Sequence, residues 1–401
     1  HFLTKRLGLF AFLALICISL VLRPPLAAIG PLLQEIALSL NLNASQQSLL
    51  TSIPVFCFGL GAFLSPWLTR RLGLNVTMLI VLTVLLIALV ARVLFGFELL
   101  LIGTIFVGLG IAITNVLLPT LVRNDFKERA SLMTSFYTTL LAIAASLMAG
   151  FAVILSNVLG GWQWVLLLTA APAFFAILFW LPRFRAGQSH VRVSAESAKS
   201  ESRAVYRSSI AWAILGYFGL QSLGFYVVLG WLPTILIDAG LTPEAAGAFL
   251  GLATAIGIPS GLALAPLISK LRSLSWLAVL ASALTAAGFA LIAWMQTNEM
   301  VKNELLLVTA AALIAFGQSA NFPISLSLIA TRASTQAQTT TLSAFSQGWG
   351  YLIAGVGTFA FGAIGSQMPN WSVVLFAIAA LSVCQMVLAA YAGSNRKIAA
   401  K

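Results

Sequence analysis

Arg23 is the residue whose surroundings most demand a chemical explanation. It stands in Leu22-Arg23-Pro24-Pro25, in the middle of an apolar run from Leu7 to Ile36. A guanidinium near the centre of a bilayer costs about 2.5–3.5 kcal/mol on insertion scales, so Arg23 is expected to face a protein-lined cavity and not lipid. Pro24 and Pro25 remove consecutive backbone donors and disfavour helix at the residue before each, so a loosened or kinked helix is expected beside the charge. A carbonyl released in this way needs a partner from a cavity or a neighbouring helix. The alternative role for Arg23 is a structural cation locked to a buried partner.

The other polar residues expected near mid-membrane are Asn115, Tyr137, Gln221, Tyr226, Gln318, Asn321 and Gln347, with Trp231, Trp349 and Tyr351 as aromatic neighbours. A cation offers charge complementarity, amides offer donors and acceptors, and aromatic faces sandwich a planar ring. That set suits a small, flat, polar or anionic solute. Each amide alone serves equally well as an interhelical clasp worth about 0.6–2 kcal/mol. Tyr226 and Tyr351 are candidates for stacking or gating, and Tyr137 falls toward the cytoplasmic end, where a gate is expected. Trp231 falls toward the outer interface, where aromatic anchors gather.

All 10 acidic residues sit at span ends or in loops, so the buried carboxylate that usually carries a proton is missing from the span cores. Glu35 and Asp238 are the remaining candidates if they reach an outer vestibule, and an anionic solute could carry a proton itself against Arg23. There is no phosphate-cradling loop and no HExxH, and the two histidines, His1 and His190, fall outside the spans. Hydrolytic, metal and nucleotide-driven chemistry therefore find no support, and no cofactor is expected.

The elements that must position these residues follow from composition. Of 401 residues, 60% are hydrophobic and 8% charged, against about 25% charged in a soluble domain. Apolar runs read as twelve spans, at approximately 7–36, 45–68, 75–96, 99–122, 130–156, 161–182, 208–236, 244–268, 275–296, 304–330, 338–366 and 371–393. Of the 22 basic residues, all but Arg23, Arg92 and Lys302 fall on one face of that arrangement, which places both termini in the cytoplasm. The net charge of +12 thus reflects membrane topology and not a nucleic-acid partner. Lys5 and Arg6 read as the retained cytoplasmic flank of the first span, with no cleavable signal needed.

Arg183 to Ser209 is polar, basic and serine-rich, too hydrophilic to cross. It divides the chain into a six-helix bundle over 1–182, a cytoplasmic linker over 183–209 and a second six-helix bundle over 210–401. The halves echo each other, with Asn115 and Pro119 in the fourth span and Asn321 and Pro323 in the tenth. The fold class expected is an all-α integral membrane protein, twelve transmembrane helices in two pseudo-symmetric bundles, with a solute site where they meet. Its partners are the lipid bilayer and a small molecule, protons being a further candidate, and one chain suffices to form the pathway.

Several stretches, taken in order, carry a family resemblance. They are Leu22-Arg23-Pro24-Pro25 with Gly30-Pro31-Leu32-Leu33, Asn115-Val116-Leu117-Leu118-Pro119 with Arg123, Asp125 and Phe126, Gly230-Trp231-Leu232-Pro233 with Asp238-Ala239-Gly240, and Gln347-Gly348 with Gly350-Tyr351-Leu352. Together they resemble the cyanate and nitroimidazole permease branch of the major facilitator superfamily. The resemblance implies a secondary active or facilitative transporter of small planar or anionic solutes in a bacterial inner membrane, with Arg23, Asn115, Gln221 and Gln347 at a site between the halves. The superfamily's loop between the second and third helices usually carries an aspartate, whereas Thr69-Arg70-Arg71-Leu72-Gly73 has none. Arg71 and Gly73 fit that loop as conformational residues, and Asp125 is expected to pair with it in place of the missing acid. The alternative functions are a proton-coupled multidrug efflux antiporter, or a channel or membrane receptor.

Overall fold

Inside a bilayer a backbone has no water to pair with, so long apolar runs close their hydrogen bonds within helices. The computed structural model describes residues 2–126, 130–184, 195–334 and 336–399; His1 and His190 lie outside them. Among the described residues, twelve helices are long and apolar enough to cross a membrane, and they coincide with the expected spans.

The first span is built from three pieces, α1 (Phe2–Val21), α2 (Pro24–Ala27) and α3 (Ile29–Leu40). It is followed by α4 (Ala44–Leu72), α5 (Leu74–Ala91), α6 (Gly96–Phe126) and α7 (Ala130–Leu159). The sixth span is also divided, into α8 (Trp162–Leu168) and α9 (Ala170–Phe184). The break at Thr169 precedes Pro172, which has no N–H for the Leu168 carbonyl and whose ring crowds that group. The second half comprises α11 (Ser209–Asp238), α12 (Pro243–Lys270), α13 (Ser275–Thr297), α14 (Glu304–Arg332), α15 (Gln336–Gly365) and α16 (Ser372–Ala392).

Before α11 the polar linker contains a helix, α10 (Ala195–Tyr206), which composition alone did not announce. Arg203 in its last turn complements the helix dipole. Val205 is fully buried, and the Tyr206 hydroxyl accepts the Trp349 indole N–H at 2.7 Å, so this part of the linker is docked onto α15.

The halves meet along three seams, α4 against α15, α7 against α12, and α3 against α11. Small residues set how closely they approach, because lipid gives apolar helices no hydrophobic reason to associate. A β-carbon on Gly30 would fall 2.2 Å from the Leu229 carbonyl oxygen, and one on Gly251 would fall 2.8 Å from the Gly150 α-carbon.

Trp231, expected at the outer interface as an anchor, is instead 1% exposed and packs on Trp371 with ring centroids 5.4 Å apart. Gly362 explains the correction, since a β-carbon there would sit 2.1 Å from the Trp231 ring; the glycine opens the slot that the indole fills.

Candidate functional site

Arg23 lies at the break in the first span, as the N-cap of α2 (φ −116°, ψ −45°), and its own side chain caps nothing. The prolines occupy the first helical positions, where a missing N–H leaves no hydrogen bond unmade. The Arg23 carbonyl accepts from the Leu26 and Ala27 amides at 3.1 and 3.0 Å, which closes the turn and frees the side chain. Its guanidinium lies over the Phe225 ring, 5.4 Å from the centroid, and the neighbouring Tyr226 ring stands edge-on to Phe225 with centroids 5.1 Å apart. Tyr351 on α15 faces Tyr226, with ring centroids 6.3 Å apart.

Aromatic residues from three helices close this box. Phe58 on α4 packs against Tyr226 at 5.8 Å and Tyr351 at 5.4 Å; Phe218 meets Tyr351 at 5.1 Å. An aromatic face attracts a cation by about 0.5–2 kcal/mol but does not neutralise it. Among the described residues, no carboxylate lies within ion-pairing distance of Arg23; the ion pair found there joins Arg183 to Asp125. The half-buried guanidinium therefore keeps donors and charge for an anionic or electron-rich planar group. Beyond Tyr226, toward the end of the bundle away from the linker, a cavity of about 20 Å³ is lined by Leu26, Ile29, Thr51, Pro54 and Gly230. That is room for about one water molecule.

The structure brings Arg23, Tyr226 and Tyr351 together, and places the other candidates elsewhere or around them. Gln221 is buried and donates to the Ser222 hydroxyl at 2.9 Å, whereas Gln347 donates to the Ser343 hydroxyl at 2.8 Å. Among the described residues both amide atoms of Gln318 are buried without a partner, the nitrogen lying where a β-carbon on Gly224 would be 2.9 Å away. Asn115 on α6 is exposed, and Tyr137 on α7 is buried. Asn321 is fully buried in a closed network apart from Arg23: it accepts from Tyr217 at 2.8 Å and Ser282 at 3.4 Å, and donates to Thr285 at 3.3 Å. Its role there is the interhelical clasp, between α11, α13 and α14. Phe58, Phe218 and Phe225 were not among the sequence candidates, and no pattern distinguishes them from the other phenylalanines.

The conformational candidates divide as clearly. Gly73 joins α4 to α5 with φ 79°, a backbone that strains any residue with a β-carbon. Arg71 lies over the Trp67 ring, 4.9 Å from its centroid. Asp125 does not pair with the Arg71 loop: both its oxygens are taken by Arg183, whose guanidinium also lies over Trp180 at 4.6 Å. The physical reason is that the chain brings Asp125, near the end of α6, and Arg183, near the end of α9, within ion-pairing reach, with the Trp180 ring against the guanidinium.

At the opposite end, away from the linker, three hydrogen bonds cross between the halves among the described residues. Gln34 donates to Asp238 at 3.0 Å, Asn157 to Glu244 at 3.1 Å, and Ser48 to the Phe359 carbonyl at 2.6 Å. Asp238 also accepts from the Trp371 indole at 2.9 Å, and Glu35 accepts from Ser156 at 2.7 Å. This end is closed by polar contacts that a small movement can make or break.

Comparison with known proteins agrees with this fold. The sequence pattern of the Major Facilitator Superfamily matches residues 7–358. The 2-nitroimidazole transporter of Escherichia coli K12 is 31% identical over 384 residues, 96% of this chain and 95% of that protein. The cyanate transport protein CynX of the same organism is 27% identical over 360 residues, 90% and 91% of the two chains. The xylose transporter XylE from E. coli, in a partially occluded inward open conformation, superposes with a TM-score of 0.70 at 14% identity over 96% of this chain and 98% of that one. At that identity the likeness is one of fold.

Proposed function

Because the chain belongs to the Major Facilitator Superfamily and is a multi-pass transporter of small solutes, we propose that it moves a small planar or anionic solute by alternating access, with Arg23 as the electrostatic anchor. The observation that carries this reading is a guanidinium at a helix break, lying over Phe225 at the edge of an aromatic cluster that continues through Tyr226 and Tyr351, and without a carboxylate partner among the described residues. A negative or electron-rich group would dock on the fork while the rings cover its flat faces. Gln318, whose amide is unpartnered, is the amide best placed to exchange a protein contact for a solute contact. Asn115, Gln221 and Gln347 would serve as the pathway's hydrogen-bonding groups, Pro24, Pro25 and Gly73 as hinges, and Tyr137 as part of the inner gate.

The solutes to try first are 2-nitroimidazole and cyanate, and the membrane is a bacterial inner membrane with both termini in the cytoplasm. The three bonds at the distal end would then close the outer face and leave the site to communicate inward. Saturable counterflow of labelled 2-nitroimidazole or cyanate in proteoliposomes tests the reading. Single-channel currents, or no exchange of either solute, would refute it.

Proton coupling is favoured by one observation. Asp238 accepts from Gln34 across the seam, so a proton on Asp238 would weaken the outer closure. Uptake that follows an imposed pH gradient in the native chain and ignores it in Asp238→Asn is the expected result. Equal gradient dependence in both would remove Asp238 from the coupling.

A further inference from the structure

The chain holds a second intramembrane-depth cation that the solute site does not use. Arg92 caps the end of α5 and is 0% exposed, and among the described residues no carboxylate pairs with it. Its two terminal nitrogens donate to the Pro25 carbonyl at 3.3 and 3.4 Å, and one of them also reaches the Thr169 hydroxyl at 3.5 Å. Thr169 in turn donates its proton to the Leu166 carbonyl at 2.5 Å, which leaves its lone pairs for the guanidinium. Gly103 on α6 gives the arginine stem room to pass, since a β-carbon there would be 2.4 Å from the Arg92 β-carbon.

These two partners are the two places where spans are broken. Pro25 belongs to the turn between α1 and α3, and Thr169 separates α8 from α9. The amides of that turn reach the Arg23 and Pro24 carbonyls, and the Pro25 carbonyl is met by Arg92. A buried cation without an anion is costly to keep, and a leucine would fill the same space without that penalty. What leucine cannot do is hold two acceptors on two different helices with one planar fork.

We propose that Arg92 is a positioning residue: by bridging Pro25 and Thr169 it locks the breaks of the first and sixth spans together, and so fixes the direction in which Arg23, two residues before Pro25, leaves the chain. Arg23 and Arg92 then work on opposite sides of one turn. The first presents a cation to the site between the halves, and the second holds the turn from within the first half. The inference rests on Arg23 as the solute anchor, but its test requires no solute.

The test is the reactivity of position 23 itself. In the full-length chain with Cys17, Cys57 and Cys384 replaced by serine, Arg23→Cys is reacted with a negatively charged methanethiosulfonate in the Arg92, Arg92→Lys and Arg92→Leu backgrounds. Gln367→Cys, exposed beyond the end of α15 and outside the solute site, is the control. The expected result is a change in rate at position 23 on the order of fivefold or more with leucine, with lysine between leucine and arginine and the control unmoved. An unchanged rate at position 23 in a folded variant, or an equal change at positions 23 and 367, overturns the proposal. Should the leucine variant fail to fold, the lysine variant decides by the same criterion. Failure of 2-nitroimidazole and cyanate to exchange in the native chain would strike the solute reading and leave this result standing.

Discussion

Replacing Gly30 by alanine should open the end of the transporter away from the linker. The added β-carbon would lie 2.2 Å from the Leu229 carbonyl oxygen, where ordinary contact begins at 3.4 Å. No rotamer relieves this, because both atoms are fixed to backbone, so α3 and α11 must part by about 1.2 Å (3.4 less 2.2). Overpacking of this kind costs about 1–3 kcal/mol. The cost falls on the closed arrangement alone, since parting the helices removes the contact. The ratio of open to closed should therefore rise about 5- to 150-fold. Spin labels at Ser39→Cys and Gln367→Cys, both exposed at this end on opposite halves, report the change as a larger long-distance population in pulsed resonance measurements on the cysteine-free chain. An unaltered distance distribution in folded Gly30→Ala would refute the reasoning, because it would mean that the seam yields without separating.

The other expectations are more local. Asp125→Ala should destabilise the chain by up to about 3 kcal/mol, because it strands Arg183 in a partly buried site; the double exchange Asp125→Arg with Arg183→Asp should recover much of that loss in thermal unfolding, whereas exchange with Arg71 should not. Asn321→Leu should cost about 1–3 kcal/mol by taking from the buried Tyr217 hydroxyl its acceptor, with KM for the transported solute unchanged. A raised KM at unchanged stability would return Asn321 to the solute site.

How much of this was legible in the sequence varies with the range of the interaction. The twelve spans were legible because a run of about 20 apolar residues is a local property of the chain. Arg23 was legible for the same reason, as a charge where its neighbours are apolar. The break in the sixth span was not, since Pro172 resembles any proline near a helix end and its effect appears at Thr169. Arg92 carried the same signal as Arg23, a cation within a span, but its acceptors lie on the first and sixth spans, 67 and 77 positions away. The amides were the least legible. Asn321 and Gln318 are three residues apart on α14, yet one is saturated by α11 and α13 and the other has no partner. Residue type says that an amide seeks hydrogen bonds, and packing alone says whether the protein supplies them. Phe58 and Phe225 were hidden among 26 phenylalanines, because an aromatic box is assembled from different helices and leaves no spacing to read. The partner of Asp125 failed as an expectation because it depends on which helix ends lie side by side.

If Arg23 is held for a solute, removing its guanidinium must cost binding. Binding of 2-nitroimidazole and of cyanate to the purified native chain, Arg23→Lys and Arg23→Ala, followed by titration calorimetry with circular dichroism to check the fold, tests it most directly. The native chain should bind at least one of the two. Alanine should weaken that binding about tenfold or more with the helical spectrum intact, and lysine should restore part of it, because it keeps the charge and loses the planar fork. Native affinity in folded Arg23→Ala would contradict the account.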